Sequence, residues 1–445
     1  MIERLYDIFQ QCSCVTTDSR NCPQDSLFIA LKGANFNGNA FASKALEAGS
    51  RYVVIDEEEY LPAGDERYFL VDDCLQALQR LANYHRRQLG APVPSVPDAH
   101  RGIPVIGITG TNGKTTTKEL TAAVLSKKYR VLYTEGNLNN SIGVPMTVLR
   151  LKPEHQIAII EMGASHPGDI QELVNVSEPN VGLITNVGRA HLQGFGSFEG
   201  VKRTKGELYD FLRQTNGEVI VNADSTDLMQ MVKERGLERV TCYGVQAEGV
   251  AVRGRIAEHS ALLHFQWKAE EGEWHDVQTH LIGDYNLSNM LAAISLGLKY
   301  HVPEDLVCKA LQEYEPHNNR SQLTKTERNV LIVDAYNANP TSMKAAIDNF
   351  HLLDADNKML ILGEMRELGA NSAQEHRQVI RLIQEYGFKD VILVGQEFMY
   401  EGNPFRCFAD VEALKETLKE QQPQGKCILI KGSNGTRLFT LPELL

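Results

Sequence analysis

Residues 105–117 read Val-Ile-Gly-Ile-Thr-Gly-Thr-Asn-Gly-Lys-Thr-Thr-Thr, and this stretch decides the fold. Val105 to Thr109 has the length and apolar content of a short buried strand, Thr115 onward reads as a helix, and a glycine-rich loop joins them. Gly110 and Gly113 can adopt backbone angles closed to other residues, so successive N–H groups can turn inward around an anion at the helix N-terminus. Lys114 adds a point charge for terminal phosphates, and the Thr115 hydroxyl is placed for Mg²⁺. The usual phosphate-loop spacing puts another glycine at position 108, where this chain has isoleucine, so the match is to the compact form G-T-N-G-K-T. A bare glycine–lysine pair is commonly just a turn; strand, loop, Lys-Thr and helix together favour phosphate binding.

Around this stretch, from Ile103 to about Tyr314, the runs V-I-G-I-T, R-V-L-Y-T, I-A-I-I-E-M, V-G-L-I-T-N-V and E-V-I-V-N alternate with helical segments. Apolar runs of this kind suit strands buried on both faces of a parallel sheet with right-handed helical crossovers. Val250 to Ile282 breaks the pattern, alternating Leu262, His264 and Gln266 with Leu263, Phe265 and Trp267, and predicts a small antiparallel patch. Two helices follow, Asn286 to Tyr300 and Pro303 to Tyr314. Upstream, residues 1–92 predict a small mixed α/β domain with helices at Ala42–Gly49 and Cys74–Leu89 and a strand at Tyr52–Ile55. Four prolines between Gly90 and Pro104 mark the first boundary. The polar stretch Glu315 to Gln322 marks the second, and V-L-I-V-D, K-M-L-I-L-G, V-I-L-V-G and C-I-L-I-K-G then form another α/β unit. The expected architecture is therefore α/β in three domains, 1–92, 103–314 and 315–445, the last Rossmann-like.

A chain of 445 residues agrees with three domains of roughly 150 residues each. Its 42% hydrophobic and 23% charged content is that of a globular protein, and a formal charge of −12 argues against broad binding to nucleic acid or anionic membranes. The opening M-I-E-R-L-Y-D-I-F-Q-Q resembles neither a signal peptide nor a membrane span. Eight scattered cysteines, among which Cys12, Cys14 and Cys22 lack C-x-x-C spacing, read as reduced thiols. A cytoplasmic monomer is expected.

In open parallel sheets ligands bind beyond the carboxyl ends of strands, which singles out the residues ending each run. Glu161 ends I-A-I-I-E-M, where a lone carboxylate either meets a cation such as Mg²⁺ or caps the next helix. A single histidine is more often a packing residue, but His191 follows V-G-L-I-T-N-V beside the same crevice, and that position reverses the preference. Lys205 lies in a helical run, where lysines normally face water, beside Gly206. Asp334 closes V-L-I-V-D and opens D-A-Y-N-A-N-P, which a turn and helix cap explain in part, leaving Tyr336 and Asn337 unexplained. Ser19, Arg20 and Lys32 could hold a diphosphate or nucleotide, but taken alone read as surface groups.

The chain resembles the Mur ligase family, whose superfamily includes folylpolyglutamate synthase. The resemblance rests on G-T-N-G-K-T-T, on G-N-L-N-N-S-I-G-V-P from Gly136, N-V-G-R-A-H-L from Asn186, D-A-Y-N-A-N-P-T-S-M-K-A-A from Asp334, L-G-E-M-R-E-L-G from Leu362 and K-G-S-N from Lys431. It implies an N-terminal domain for a UDP-sugar, a central ATPase domain and a C-terminal domain closing over the nucleotide. It also implies ATP and Mg²⁺, with UDP-N-acetylmuramoyl-tripeptide and D-alanyl-D-alanine as substrates joined through an acyl phosphate. Under it Gly110, Thr111, Asn112, Gly113, Lys114, Thr115 and Thr116 hold the phosphates; Thr115 and Glu161 ligate one Mg²⁺ and His191 a second; and Lys205 matches a lysine carbamylated in relatives. Asn286 and Asn289 fall near adenine, Arg320 on ATP and Asp334 on the ribose side. Substrate contacts are implied for Ser19, Arg20, Lys32, Asn137, Asn139, Asn140, Tyr336 and Asn337. The family usually has His-Asn at Tyr285-Asn286, Gly-Arg at Asn319-Arg320 and D-G-H-x-F at N-G-N-A-F. The member that adds the third peptide residue carries D-N-P-R, which this chain lacks. A phosphate-loop kinase or phosphohydrolase, and a silent nucleotide-binding module, are the readings from other classes.

Overall fold

A computed structural model describes residues 1–89, 102–258, 260–316 and 322–445. Its largest sheet has nine strands in the order His275–Ile282, Leu262–Ala269, Val252–Glu258, Val240–Gly244, Glu218–Asn222, Val181–Ile184, Val105–Thr109, Ile157–Glu161 and Val131–Tyr133. Val105–Thr109 is buried along its whole length between two parallel neighbours, as an apolar run of five requires. The chain leaves it for helix Lys114–Leu125, whose Leu120 and Val124 pack with helix Leu287–Lys299 on one face. From Ile157–Glu161 it leaves for helix Asp169–Ser177, whose Ile170 and Leu173 belong to the core on the other face. Adjacent strands whose connections diverge in this way open a crevice at their carboxyl ends.

The antiparallel patch exists, with Leu263, Phe265 and Trp267 buried and the alternate residues half-buried. It comprises Val252–Glu258, Leu262–Ala269 and His275–Ile282, each antiparallel to the next, and joins the parallel part of the sheet where Val252–Glu258 pairs parallel to Val240–Gly244.

The N-terminal sheet is parallel throughout, in the order Val15–Thr16, Leu27–Ile29, Tyr52–Ile55 and Tyr68–Leu70. Helix Cys74–Gln88, capped by the Asp73 side chain, carries Leu78 and Leu81 into a core continuous with Leu151, Ile170 and Leu173 of the central unit.

The C-terminal sheet runs Gln322–Lys325, Val330–Asp334, Cys427–Lys431, Lys358–Gly363, Asp390–Val394 and Arg406–Phe408, and only the first strand is antiparallel to its neighbour. Helix Pro340–Leu352 starts with an Asn339 cap reciprocated by Ser342 and with proline in the first turn. No helix among the described residues is long and apolar enough to cross a membrane.

Candidate active site between the central and C-terminal sheets

The glycine loop has the shape its sequence demands. Gly110 has φ +147°, and a Cβ there would lie 1.9 Å from Thr185 Oγ1; Gly113 has φ +79°, and its Cβ would lie 2.6 Å from Asn289 Oδ1. Side chains are excluded twice over, by conformation and by close approach. Thr111 N donates to Asn186 O at 3.0 Å, Asn112 N to Asn186 Oδ1 at 3.0 Å and Gly188 N to Thr111 Oγ1 at 2.9 Å, so the loop is braced by the segment after the next strand. No side chain caps helix Lys114–Leu125, leaving its first N–H groups for an anion. Lys114 Nζ donates to the carbonyls of Gly110 and Thr111 at 2.8 and 3.2 Å, folding its stem over the loop.

Glu161 is 1% exposed. Its Oε1 accepts from Thr115 Oγ1 at 3.1 Å and Asn139 Nδ2 at 2.8 Å, while Oε2 is buried without a protein partner. A carboxylate oxygen in that condition is costly unless a cation meets it. The cap reading fails, because Gly168, not Glu161, precedes helix Asp169–Ser177. No group of three or more His, Cys, Asp or Glu side chains among the described residues could hold a metal. Mg²⁺ needs no such cage, since it keeps waters and takes one or two protein oxygens plus phosphates, so the Thr115–Glu161 pair fits it.

His191 has a left-handed backbone, φ +50°, and Nδ1 meets the Glu367 carboxylate of the C-terminal unit. Burial lowers its pKa, and the positive charges of Lys114 and Lys205 add to that against the opposing pull of Glu367. Lys205 is 2% exposed, contrary to the usual placement of a helical lysine. The next residue is packed as well: a Cβ on Gly206 would lie 2.1 Å from Arg235 Nη2. Burial and then the charge of Lys114 push the Lys205 ammonium well below its ordinary pKa, with no carboxylate offsetting them. Its Nζ stands 5.8 Å from the centre of the Phe195 ring.

Thr111 to Thr116, Asn137, Asn139, Asn140, Glu161, His191, Asn286, Asn289, Asp334, Tyr336 and Asn337 line one cavity of about 810 Å³. Gly110 and Lys205 do not line it. Ser19, Arg20 and Lys32 stand apart in the N-terminal unit, where Arg20 pairs with Asp18 at 2.9 Å and Lys32 with Asp56 at 3.1 Å. Arg320 lies outside the described residues.

The structure also adds cavity residues that the motifs contained but no reading assigned, among them Asn186, Thr341, Glu367 and Lys431. Sheet register sets Lys431 opposite Asp334, with Nζ 2.6 Å from Asp334 Oδ2 and 3.2 Å from the Asn337 carbonyl. Asn339 exchanges amide hydrogen bonds with Asn112 of the glycine loop, at 2.7 and 3.3 Å, joining the two sheets above the helix end.

Three family models match in succession: Mur ligase family, catalytic domain, over residues 11–86; Mur ligase middle domain over 108–297; and Mur ligase, glutamate ligase domain, over 319–434. A Bacillus subtilis protein named UDP-N-acetylmuramoyl-tripeptide--D-alanyl-D-alanine ligase is 34% identical over 435 residues, 95% of this chain and 91% of the relative. The chain belongs to the Mur ligase family. The Escherichia coli protein of the same name is 34% identical over 433 residues, again with 95% and 91% of the two chains covered. Among Mur ligases of known structure, MurF from Acinetobacter baumannii superposes with TM-score 0.85 at 30% identity, covering 99% of this chain and 97% of that one. A MurF ligase from Thermotoga maritima, described in complex with ADP, shares the fold with TM-score 0.84 at 24% identity, covering 98% and 97%.

Proposed function

We propose that the chain joins the terminal carboxylate of UDP-N-acetylmuramoyl-tripeptide to the amine of D-alanyl-D-alanine, converting ATP to ADP and phosphate, in peptidoglycan synthesis. The observation that carries this reading is the single cavity in which the phosphate loop, the unpartnered oxygen of Glu161 and His191 face a second sheet, in a chain alike over 95% of its length to enzymes of that name. In the first step a carboxylate oxygen of the tripeptide bonds to the γ-phosphorus and the bond to ADP breaks, giving an acyl phosphate. The amine nitrogen then adds to the acyl carbon, the tetrahedral centre expels phosphate, and the nitrogen gives up its proton.

Two anions meet in the first step. Lys114, swinging from the Gly110 and Thr111 carbonyls, and the N–H groups of residues 113–116 lower that repulsion. Thr115 and Glu161 would hold one Mg²⁺ and His191 a second, and when bound these ions supply further charge neutralisation at the phosphoryl oxygens. Lys205, whose ammonium form burial disfavours, is the amine to which CO₂ would add with loss of a proton, giving a carbamate with carboxylate-like oxygens. Asp334, oriented by Lys431, is assigned to the ribose hydroxyls; Asn286, Asn289 and Arg320 to the nucleotide. Asn137, Asn139, Asn140, Tyr336 and Asn337 are assigned to the peptide substrates, and Ser19, Arg20 and Lys32 to the UDP end. Closure of the unit 315–445 on 103–314, with 1–92 presenting the sugar nucleotide, excludes water that would hydrolyse the acyl phosphate. We place the enzyme in the cytoplasm as a monomer.

The test is incubation with ATP, Mg²⁺ and the UDP-tripeptide, with and without D-alanyl-D-alanine, following pentapeptide by mass and ADP release. Lys114→Ala is expected to lose ~10³-fold or more in turnover with an unchanged thermal midpoint. Normal ligation by that variant would refute the role of Lys114. ADP release indifferent to both peptide substrates would favour a kinase or phosphohydrolase.

A further inference from the structure

The loop from Gly188 to Gln193 meets the C-terminal unit at successive residues. A Cβ on Gly188 would lie 2.9 Å from Thr341 Oγ1, Arg189 Nη1 is 3.4 Å from Glu375 Oε1, and a Cβ on Gly369 would lie 3.7 Å from Gln193 Cβ. At the centre of this seam the Glu367 carboxylate lies on His191 Nδ1. Both residues have left-handed backbones, φ +62° and +50°, and neither is glycine. Strained conformations persist where the surroundings over-determine them, and here two meet side chain to side chain across the boundary between units. The pair is too exposed, at 37% and 60% for the two side chains, to contribute much to stability. Its chemistry is more specific. A ring nitrogen that donates to a carboxylate fixes the tautomer and leaves the lone pair on the other nitrogen. Histidines that bind metals are commonly oriented in this way by a carboxylate behind the ring.

We propose that Glu367 is a positioning residue: supplied by the C-terminal unit, it holds His191 with Nδ1–H directed to itself and Nε2 presented to the crevice. This rests on the reading of His191 as a metal ligand. The carboxylate behind the ring therefore comes from a different sheet than the histidine, 176 positions away along the chain by residue number. The site on the central sheet is then fully oriented only with the C-terminal unit in place.

The test uses the full-length enzyme with ADP and Mn²⁺ as a spectroscopic substitute for Mg²⁺, measuring bound Mn²⁺ by electron paramagnetic resonance, together with the Mg²⁺ dependence of ligation. Glu367→Ala is expected to weaken Mn²⁺ binding and raise the half-activating Mg²⁺ concentration by about 10- to 100-fold, with an unchanged thermal midpoint. Glu367→Gln, which still accepts from Nδ1–H, should recover most of the loss. Unchanged Mn²⁺ affinity in Glu367→Ala, or equal loss in Glu367→Gln and Glu367→Ala, overturns the proposal. His191→Ala separates the two levels: if it weakens Mn²⁺ and Glu367→Ala does not, the positioning role alone fails. If His191→Ala also leaves Mn²⁺ bound as before, the metal-ligand reading fails with it.

Discussion

The junction below the central sheet and the junction above it are made of different materials. Between the N-terminal and central units one hydrophobic core runs through, with Leu78 and Leu81 in the same cluster as Leu151 and Leu173. Polar contacts rim it: Arg86 donates to Glu178 Oε2 and to the Glu178 carbonyl, both at 2.8 Å, and Asn83 Nδ2 donates to the carbonyls of Asn175 and Val176. Between the central and C-terminal units the shared apolar contact is narrow, with Ile282 in the C-terminal core and Ala261 and Leu262 at its edge. Most of the rest is polar and directional, through Asn112 with Asn339, Arg189 with Glu375, and Asp284 N with Asn349 Oδ1 at 3.0 Å. Apolar burial is strong and tolerant of orientation, whereas part-buried polar pairs such as these depend on geometry and each contributes little net stability. On this contrast the lower junction is expected to stay and the upper one to open, and the candidate active site lies at the upper one.

The largest effect that would test this contrast is expected at Arg86. Removing one partner of a buried ion pair costs about 3–5 kcal/mol, and the partial exposure of Glu178 reduces the expectation for Arg86→Ala to about 2–3 kcal/mol. Urea unfolding measures it, with ligation per folded molecule expected to be unaffected. The acid limb of the stability curve gives a second reading. Burial raises the Glu178 pKa, but the hydrogen bond from Arg87 and the charges of Arg86 and Arg87 outweigh it, and the net direction is down. A carboxyl lowered in the folded state contributes stability that is full above its unfolded value, about 4.3, and is lost as pH falls through the folded value. The stability gap between wild type and Glu178→Gln should therefore narrow below about pH 4.3. A pH-independent gap would mean that the lower junction does not depend on this charge.

A smaller effect on stability, but a visible one on turnover, is expected at Asn339. Its side chain caps helix Pro340–Leu352 through Ser342 N at 2.9 Å and also pairs with Asn112. Asn339→Ala removes both and should cost about 1 kcal/mol. Asn339→Asp keeps the cap, but its carboxylate cannot donate to Asn112 Oδ1. It should therefore hold the wild-type thermal midpoint while turnover falls several-fold. If both variants turn over normally, the amide pair is not part of closure.

Asn112 and Asn339 also show where sequence reading stops. They are 227 residues apart, and nothing local in G-T-N-G-K-T or N-A-N-P announces the partner. The glycine loop was legible because each requirement is local: strand, φ-permissive glycines, lysine and helix. The central strands were legible because burial on both faces forces unbroken apolar runs. Val240–Gly244, Arg406–Phe408 and Gln322–Lys325 carry no such run. The first is only half-buried over its first three residues and the other two are edge strands, so their sequences need not be apolar. The burial of Lys205 was hidden for a different reason, since Gly206 hinted at close packing but its neighbour Arg235 comes from another helix.

The smallest expected effect is at Arg189, and it sharpens the contrast most because it should be nearly silent. Its side chain is 59% exposed and meets Glu375 at 3.4 Å, longer than a well-made charge-assisted hydrogen bond. Exposed pairs of this kind contribute about 0–1 kcal/mol and are screened by salt. Arg189→Ala should shift stability by no more than about 0.5–1 kcal/mol, and the difference from wild type should shrink between 0.05 and 0.5 M NaCl, roughly as the Debye length falls. Glu375 is itself buried, which makes the measurement discriminating. If the guanidinium is what balances that carboxylate, the variant would lose well over 2 kcal/mol at every salt concentration. The upper junction would then be a fixed contact like the lower one, and opening of the crevice would have to come from elsewhere in the C-terminal unit.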